Sequence, residues 1–213
     1  MEESTNREKI LKKVRNALIA KTTPLFPNLD MEKSVYANAQ LPLEVIFAER
    51  FLAQQGQFVL CHGKVELMET VLGICDVHKF SELWCIDRTI SAFFDEFEFP
   101  HQSVFDNVTD TDVEVAVVPC ECLIARTGSI VFSPTILSDS QLLAIARNCI
   151  VIAHLNQLTP DFNEAMAYLK ERNDNRTPSS LFIINGRITL NIASRAENLE
   201  RQQEIIVILI LPE

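Results

Sequence analysis

Ile205-Ile-Val-Ile-Leu-Ile-Leu211 is an unbroken apolar run near the last residue of the sequence. Successive side chains of a strand point to opposite faces, so a run with no polar residue at alternate positions needs apolar cover on both sides. It is far shorter than the roughly 20 residues that cross a bilayer. It also carries none of the charges that protect an exposed sheet edge. The stretch is therefore expected to be an inner strand, laid down last, in a mainly parallel sheet covered by helices.

Segments of the same kind recur upstream: Phe58-Val-Leu-Cys61, Leu83-Trp-Cys-Ile86, Val113-Glu-Val-Ala-Val-Val118, Ile130-Val-Phe132, Cys149-Ile-Val-Ile-Ala153 and Leu181-Phe-Ile-Ile184. Helical stretches alternate with them. One is bracketed by Pro42 at its first turn and Gly56 at its C-cap, and others are expected around 64–76, near Ser140 to Arg147, and from Pro160 to about Arg172. The stretch up to about residue 97 reads as helical or irregular. This order predicts an α/β fold over residues 41–213. Residues 1–40 hold an amphipathic, basic helix over 5–21, with Thr5 to Glu8 as a capping box, and a Pro-containing linker. That helix reads as an ordinary surface helix or as a partner-binding element.

The chain has 213 residues, 47% hydrophobic and 23% charged, with a formal net charge of −10. Those proportions belong to a folded chain rather than a disordered one. An acidic chain without a Lys/Arg stripe repels a phosphate backbone, so nucleic acid is not an expected partner. Acids follow Met1 where a signal peptide needs bases, and no run is long enough for a membrane span, so a cytoplasmic location is expected. The six cysteines lie mostly inside apolar segments and read as core thiols.

Ligands of open α/β sheets bind beyond the carboxyl ends of the strands, where loops meet helix N-termini. Gly63 and Lys64, between the first strand and its helix, form one candidate anion site. The Thr127-Gly128-Ser129 turn offers two hydroxyls and a glycine that permits close backbone approach, with Arg126 beside it as a partner for carboxylate or phosphate. A plain bend is the competing reading for both. Cys120-Glu-Cys122 would put two thiols on one face if extended, but no second pair supports a metal site, and none is expected. The histidines form no ligand pattern, and no Gly-x-Ser-x-Gly elbow is present.

Four stretches, taken in order, resemble the LUD-domain family of lactate-utilisation protein C: Arg7-Glu-Lys-Ile-Leu-Lys-Lys-Val-Arg-Asn-Ala-Leu18, Cys122-Leu-Ile-Ala-Arg-Thr-Gly-Ser-Ile-Val131, Ile150-Val-Ile152 and the terminal Ile-rich strand. The resemblance implies a Rossmann-like sheet similar to that of sugar-phosphate isomerases, glucosamine-phosphate deaminases and CoA transferases. It implies a role in oxidising L-lactate to pyruvate beside two iron-sulfur partner proteins, with no established cofactor for the LUD protein itself.

The sequence also departs from the family pattern. Where the family carries Gly-Pro-Ser-x-Thr-Ala-Asp-Ile-Glu, this chain has Gly186-Arg-Ile-Thr-Leu-Asn-Ile-Ala193. Gly186, Thr189 and Ile192 match, but the acids become Asn191 and Ala193, which cannot ionise and cannot serve as base, metal ligand or nucleophile. Gln141, Ala146 and Cys149 stand where the family tends to have an Arg, a Pro-rich bend and a His, and Ala196 to Gln203 replaces its usual Gly-Val-His-Gly-Pro turn. The expectation is a retained scaffold with a thinned-out site, acting as a non-catalytic accessory. The alternatives are a small enzyme or binding protein for an anionic metabolite (phosphosugar, CoA ester or hydroxy acid), with Gly186, Thr189 and Asn191 as further ligand candidates, or a self-associating α/β interaction module.

Overall fold

The computed structural model describes residues 8, 10–13, 15, 41–85, 87–103, 113–134, 146–174, 176, 180–193 and 198–212. The chain divides into two compact units, Met1–Asn38 and Ala39–Glu213. In the first, residues 8, 10–13 and 15 are helical, and Ile10 and Leu11 are exposed. The rest of the helix expected over 5–21 lies outside the described residues.

The second unit opens with α1 (Leu43–Ala53), β1 (Gln57–His62), α2 (Gly63–His78), β2 (Leu83–Cys85) and α3 (Arg88–Glu96). It continues through β3 (Gln102–Ser103), β4 (Val115–Pro119), β5 (Cys122–Ile124), β6 (Ser129–Phe132) and β7 (Asn148–His154). A 3-10 turn, Leu155–Gln157, leads to β8 (Leu158–Thr159), α4 (Phe162–Arg172), β9 (Phe182–Asn185), β10 (Ile188–Ala193) and β11 (Asn198–Leu211).

Six strands form one all-parallel sheet in the order β1-β11-β7-β4-β2-β3. The last strand is an inner one, as its composition requires: Ile206 to Leu211 pair with β1, and Glu204 to Ile210 pair with β7. It is longer than its apolar run. Asn198 to Gln203 extend it as an antiparallel partner of β10. Alternation within the run divides it between two cores. Ile205, Val207 and Leu209 face Phe47 and Phe51 of α1, whereas Ile206 and Ile208 face Leu67, Met68 and Val71 of α2 and Phe94 of α3. Each side chain buried this way contributes about 1.5–3 kcal/mol.

Not every apolar strand joins that sheet. β5, β6, β8 and β9 form a second, four-stranded sheet in the order β8-β5-β6-β9. Here β6 is antiparallel to both β5 and β9, and only β5 and β8 run parallel. The segments at 130–132 and 181–184, expected among the parallel strands, therefore belong elsewhere. Leu123, Ile130 and Phe132 of this sheet pack with α1 against the large sheet, while Cys122, Ile124 and Val131 face Ala165 and Leu169 of α4. The layers run α2 and α3, parallel sheet, α1 with the small sheet, then α4.

Cap expectations are met unevenly. Pro42 does precede the first turn of α1, but Gln55 rather than Gly56 takes the left-handed conformation after it (φ 64). Gly56 is required for space, because a Cβ there would lie 2.3 Å from the Phe51 ring. Asp87 caps α3 by accepting from Thr89 N and Ile90 N, and Asp161 caps α4 in the same way. The helix expected near Ser140 to Arg147 lies outside the described residues up to 145; Ala146 and Arg147 are not helical and lead directly into β7.

Glu114 ties together the amino ends of three parallel strands. Its Oε2 accepts from Ser81 N (2.8 Å) and Ser81 Oγ (2.9 Å) ahead of β2, and its carbonyl accepts from Asn148 N (3.0 Å) at the start of β7. The Ser81 backbone bond is the main cause that holds the Glu114 carboxyl below its ordinary pKa. A depressed folded pKa adds stability that is present above the unfolded pKa and is lost as pH falls through the folded one. Glu114→Gln is expected to lose about 1 kcal/mol at neutral pH. Its urea midpoint should converge on that of the wild type as the pH drops below the carboxylate range. A difference that persists in acid would contradict this role.

Candidate functional site

The described residues form a cavity of about 390 Å³ at the carboxyl end of the parallel sheet, where such folds place their ligands. Its floor is Ile152 of β7 and Ile210 of β11; Leu67 of α2 and Ile90 and Phe93 of α3 make the walls. Four polar side chains stand at the rim: Lys64, Thr89, Glu96 and His154. Topology explains why they meet. β1 hands the chain to α2 at Gly63, which adopts a left-handed conformation (φ 65) that suits glycine, while β2 hands it to α3, and both helices lie on the same face of the sheet.

The rim is electrostatically paired. Lys64 Nζ donates to Glu96 Oε2 at 2.9 Å, joining the start of α2 to the end of α3. Glu66 Oε2 accepts from His62 N at 2.6 Å, so a carboxylate already serves the N-terminus of α2. The Lys64 ammonium, read from the sequence as an anion holder, thus has a carboxylate partner in the resting protein. His154 N donates to Gln157 Oε1 (2.7 Å), and Gln157 Nε2 donates to Cys120 O (2.7 Å), which anchors the chain leaving β7.

The Thr127-Gly128-Ser129 turn lies elsewhere. It closes the β5–β6 hairpin and packs on the last turn of α1, near the amino end of β1. The six residues of β1, spanning about 20 Å, separate that end from Gly63. Gly128 has φ +61, and a Cβ on it would lie 2.7 Å from Phe51 N. Gln54 Nε2 donates to Thr127 O at 2.7 Å, and Ser129 Oγ donates to Thr127 Oγ1 at 2.6 Å. Arg126 and Thr127 are exposed and Ser129 is buried.

Gly186, in the β9–β10 turn, docks on the same helix end. A Cβ on it would meet Gln54 O, which already accepts from Arg187 N at 3.1 Å. The structure therefore brings the Gly128 and Gly186 turns together around Gln54 and leaves Gly63 and Lys64 apart from them. Thr189 and Asn191 stand in β10 opposite Gln202 and Glu200; their side chains lie outside the described residues.

Cys120 and Cys122 do not share a face. The chain bends at Glu121 as it leaves the large sheet for the small one, so Cys120 joins the core beneath α1 and Cys122 the one beneath α4. The Glu121 side chain is buried at the bend, accepting from Ser133 Oγ, with Arg172 Nη1 4.0 Å away. Burial pushes the thiols up, Cys61 and Cys75 to about 11 and Cys85, Cys122 and Cys149 to about 12. Cys120 is raised as well, by burial first and then by Cys122 and Glu121. Among the described residues no group of three His, Cys, Asp or Glu side chains is placed to hold a metal ion, and no helix is long and apolar enough to cross a membrane.

The LUD domain matches this chain over residues 45–210, which takes in both sheets and the cavity. The chain belongs to the LUD domain family. Its fold is also similar to the crystal structure of a DUF162 family protein from Deinococcus radiodurans. That match has a TM-score of 0.56 and 12% sequence identity, and covers 80% of this chain and 99% of the other. No protein of curated function matches the chain. Within the LUD fold, sequence reasoning found Gly63 and Lys64 at the cavity but missed Thr89, Phe93, Glu96 and His154. The Asp87 cap and the spacing of Ile90, Phe93, Phe94 and Phe97 mark α3 locally; the Lys64–Glu96 pairing spans 32 positions and has no local signature.

Gly128→Ala is expected to destabilise the protein by about 2–3 kcal/mol, from left-handed strain and the clash with α1. Urea denaturation checks this, and an unchanged midpoint would remove the packing role. Iodoacetamide at pH 8 should modify Cys75, the half-buried thiol, slowly but ahead of the other five while the protein is folded. Peptide mapping that finds Cys120 or Cys122 alkylated at the rate of a free thiol would contradict their burial.

Proposed function

We propose that this LUD-domain protein is an accessory of L-lactate oxidation to pyruvate, acting in the cytoplasm beside iron-sulfur partner proteins and contributing binding rather than turnover. Membership of the LUD family supports the lactate-utilisation context. The observation that carries the binding half is the cavity, whose walls are apolar and whose Lys64 and Glu96 neutralise each other across its mouth. Replacement of the family's acids by Asn191 and Ala193 argues in the same direction, as do thiols held far from their reactive form. The parallel sheet is also in keeping with the proposed likeness to sugar-phosphate isomerases and CoA transferases, on a scaffold whose functional unit we place at residues 41–213.

A second reading, a free-standing binding protein for a small charged metabolite, draws on the same cavity. Here Lys64 would take the ligand's negative group. Arg126, Thr127, Gly128, Ser129, Gly186, Thr189 and Asn191 would then belong to the scaffold, since the Gly128 and Gly186 turns meet at the Gln54 end of α1 rather than at the cavity.

Reconstitution separates the two. Mixed with the iron-sulfur proteins of a lactate oxidation complex, the full chain is expected to co-elute with them on gel filtration and to raise lactate-dependent dye reduction several-fold. Separate elution together with an unchanged rate would refute the accessory role and leave the second reading.

A further inference from the structure

The cavity and the charges at its mouth together specify a class of ligand. In the resting protein, Lys64 at the start of α2 and Glu96 at the end of α3 are joined at 2.9 Å, with side chains 67% and 56% exposed. A pair so exposed is weakly held, and its members separate readily. Behind them the cavity is lined by Leu67, Ile90, Phe93, Ile152 and Ile210. A ligand that enters meets the pair and fills an apolar space of about 390 Å³.

Charge balance then discriminates between head groups. A simple carboxylate or phosphate satisfies Lys64 but strands Glu96 beside a second negative charge. A simple amine satisfies Glu96 and strands Lys64. A head group carrying both charges on one carbon atom replaces the ion pair completely, its carboxylate on Lys64 and its ammonium on Glu96. Thr89, whose backbone N–H is already engaged by the Asp87 cap, and His154 at the end of β7 add hydrogen-bonding capacity at the same rim. The apolar floor in turn calls for an apolar tail.

We infer that the cavity binds a small zwitterion with an apolar tail, an α-amino acid with a branched or aromatic side chain, which exchanges with the Lys64–Glu96 ion pair at its mouth. This inference rests on the reading that the cavity is a metabolite site. It deepens that reading by naming the head group and the tail.

Isothermal titration of the full-length protein with L-phenylalanine, 3-phenylpropionate and 2-phenylethylamine tests it, because the three share a tail and differ only in charge. L-phenylalanine is expected to bind about three- to tenfold more tightly than either analogue. Glu96→Gln should reverse the order between L-phenylalanine and 3-phenylpropionate, and Lys64→Met should reverse it between L-phenylalanine and 2-phenylethylamine. A merely structural role for the pair would move neither preference. Ala92 of α3 also lines the cavity; Ala92→Phe should fill it and abolish binding of all three, and thermal melting confirms that each variant is folded. Equal or tighter binding of 3-phenylpropionate to the wild type would overturn the zwitterion while leaving the cavity a metabolite site. No heat from any of the three up to about 10 mM, below which even weak metabolite sites fill, would overturn both.

Discussion

The placement of β11 between β1 and β7 is the constraint on which the rest of the structure depends. Until that strand is in place, β1 has no partner in the sheet and the two cores on either face lack their centre. Because β11 comes last in the chain, the sheet joins residues about 150 positions apart, such as Phe58 and Val207. Its uninterrupted aliphatic run suits that position, since each face of an inner parallel strand is covered and neither tolerates an unpaired polar group.

The two ends of that sheet do different work. At the amino end, Glu114 links β2, β4 and β7, and nearby the Gly128 and Gly186 turns close on the tip of α1 around Gln54. These are sites of dense packing, where backbone runs so close to backbone that a single methyl group would not fit. At the carboxyl end, the departure of α2 and α3 on one face leaves a gap above Ile152 and Ile210, and the gap becomes the cavity. The division explains how a turn that carries family identity can be occupied by architecture. The Ser129 hydroxyl donates to that of Thr127, and Gly128 supplies the room the hairpin needs to reach α1.

Much of the scaffold was legible in the residues. The unbroken apolar runs at 83–85, 115–118, 149–153 and 205–211 mark parallel strands because burial on both faces leaves a compositional trace; 58–61 is as apolar but lies at the sheet edge, with Leu60 exposed. The second sheet was not legible. β5 and β6 are as apolar and as buried as their counterparts in the large sheet, and hydrophobicity records burial without recording the partner; β9 is as apolar but lies at the edge of its sheet, with Phe182 and Ile183 exposed. Cys120 and Cys122 make the same point locally. Two positions apart in an extended chain they would share a face, but the bend at Glu121, where the chain crosses between sheets, turns them to opposite cores.

Of the candidate site, the sequence by itself determined the strand-to-helix junction at Gly63 and Lys64, because a glycine and a cation after an apolar strand are a local pattern. It also determined the fold class, since strand and helix periods are properties of short windows. Tertiary structure alone decided that Glu96 would meet Lys64, that Thr89 and His154 would share their rim, and that the Thr127-Gly128-Ser129 turn would lie at the other end of the sheet. The reason is physical. Electrostatic pairing and cavity shape depend on distances between elements, and those distances arise only when β11 enters the sheet and fixes where α2 and α3 leave it.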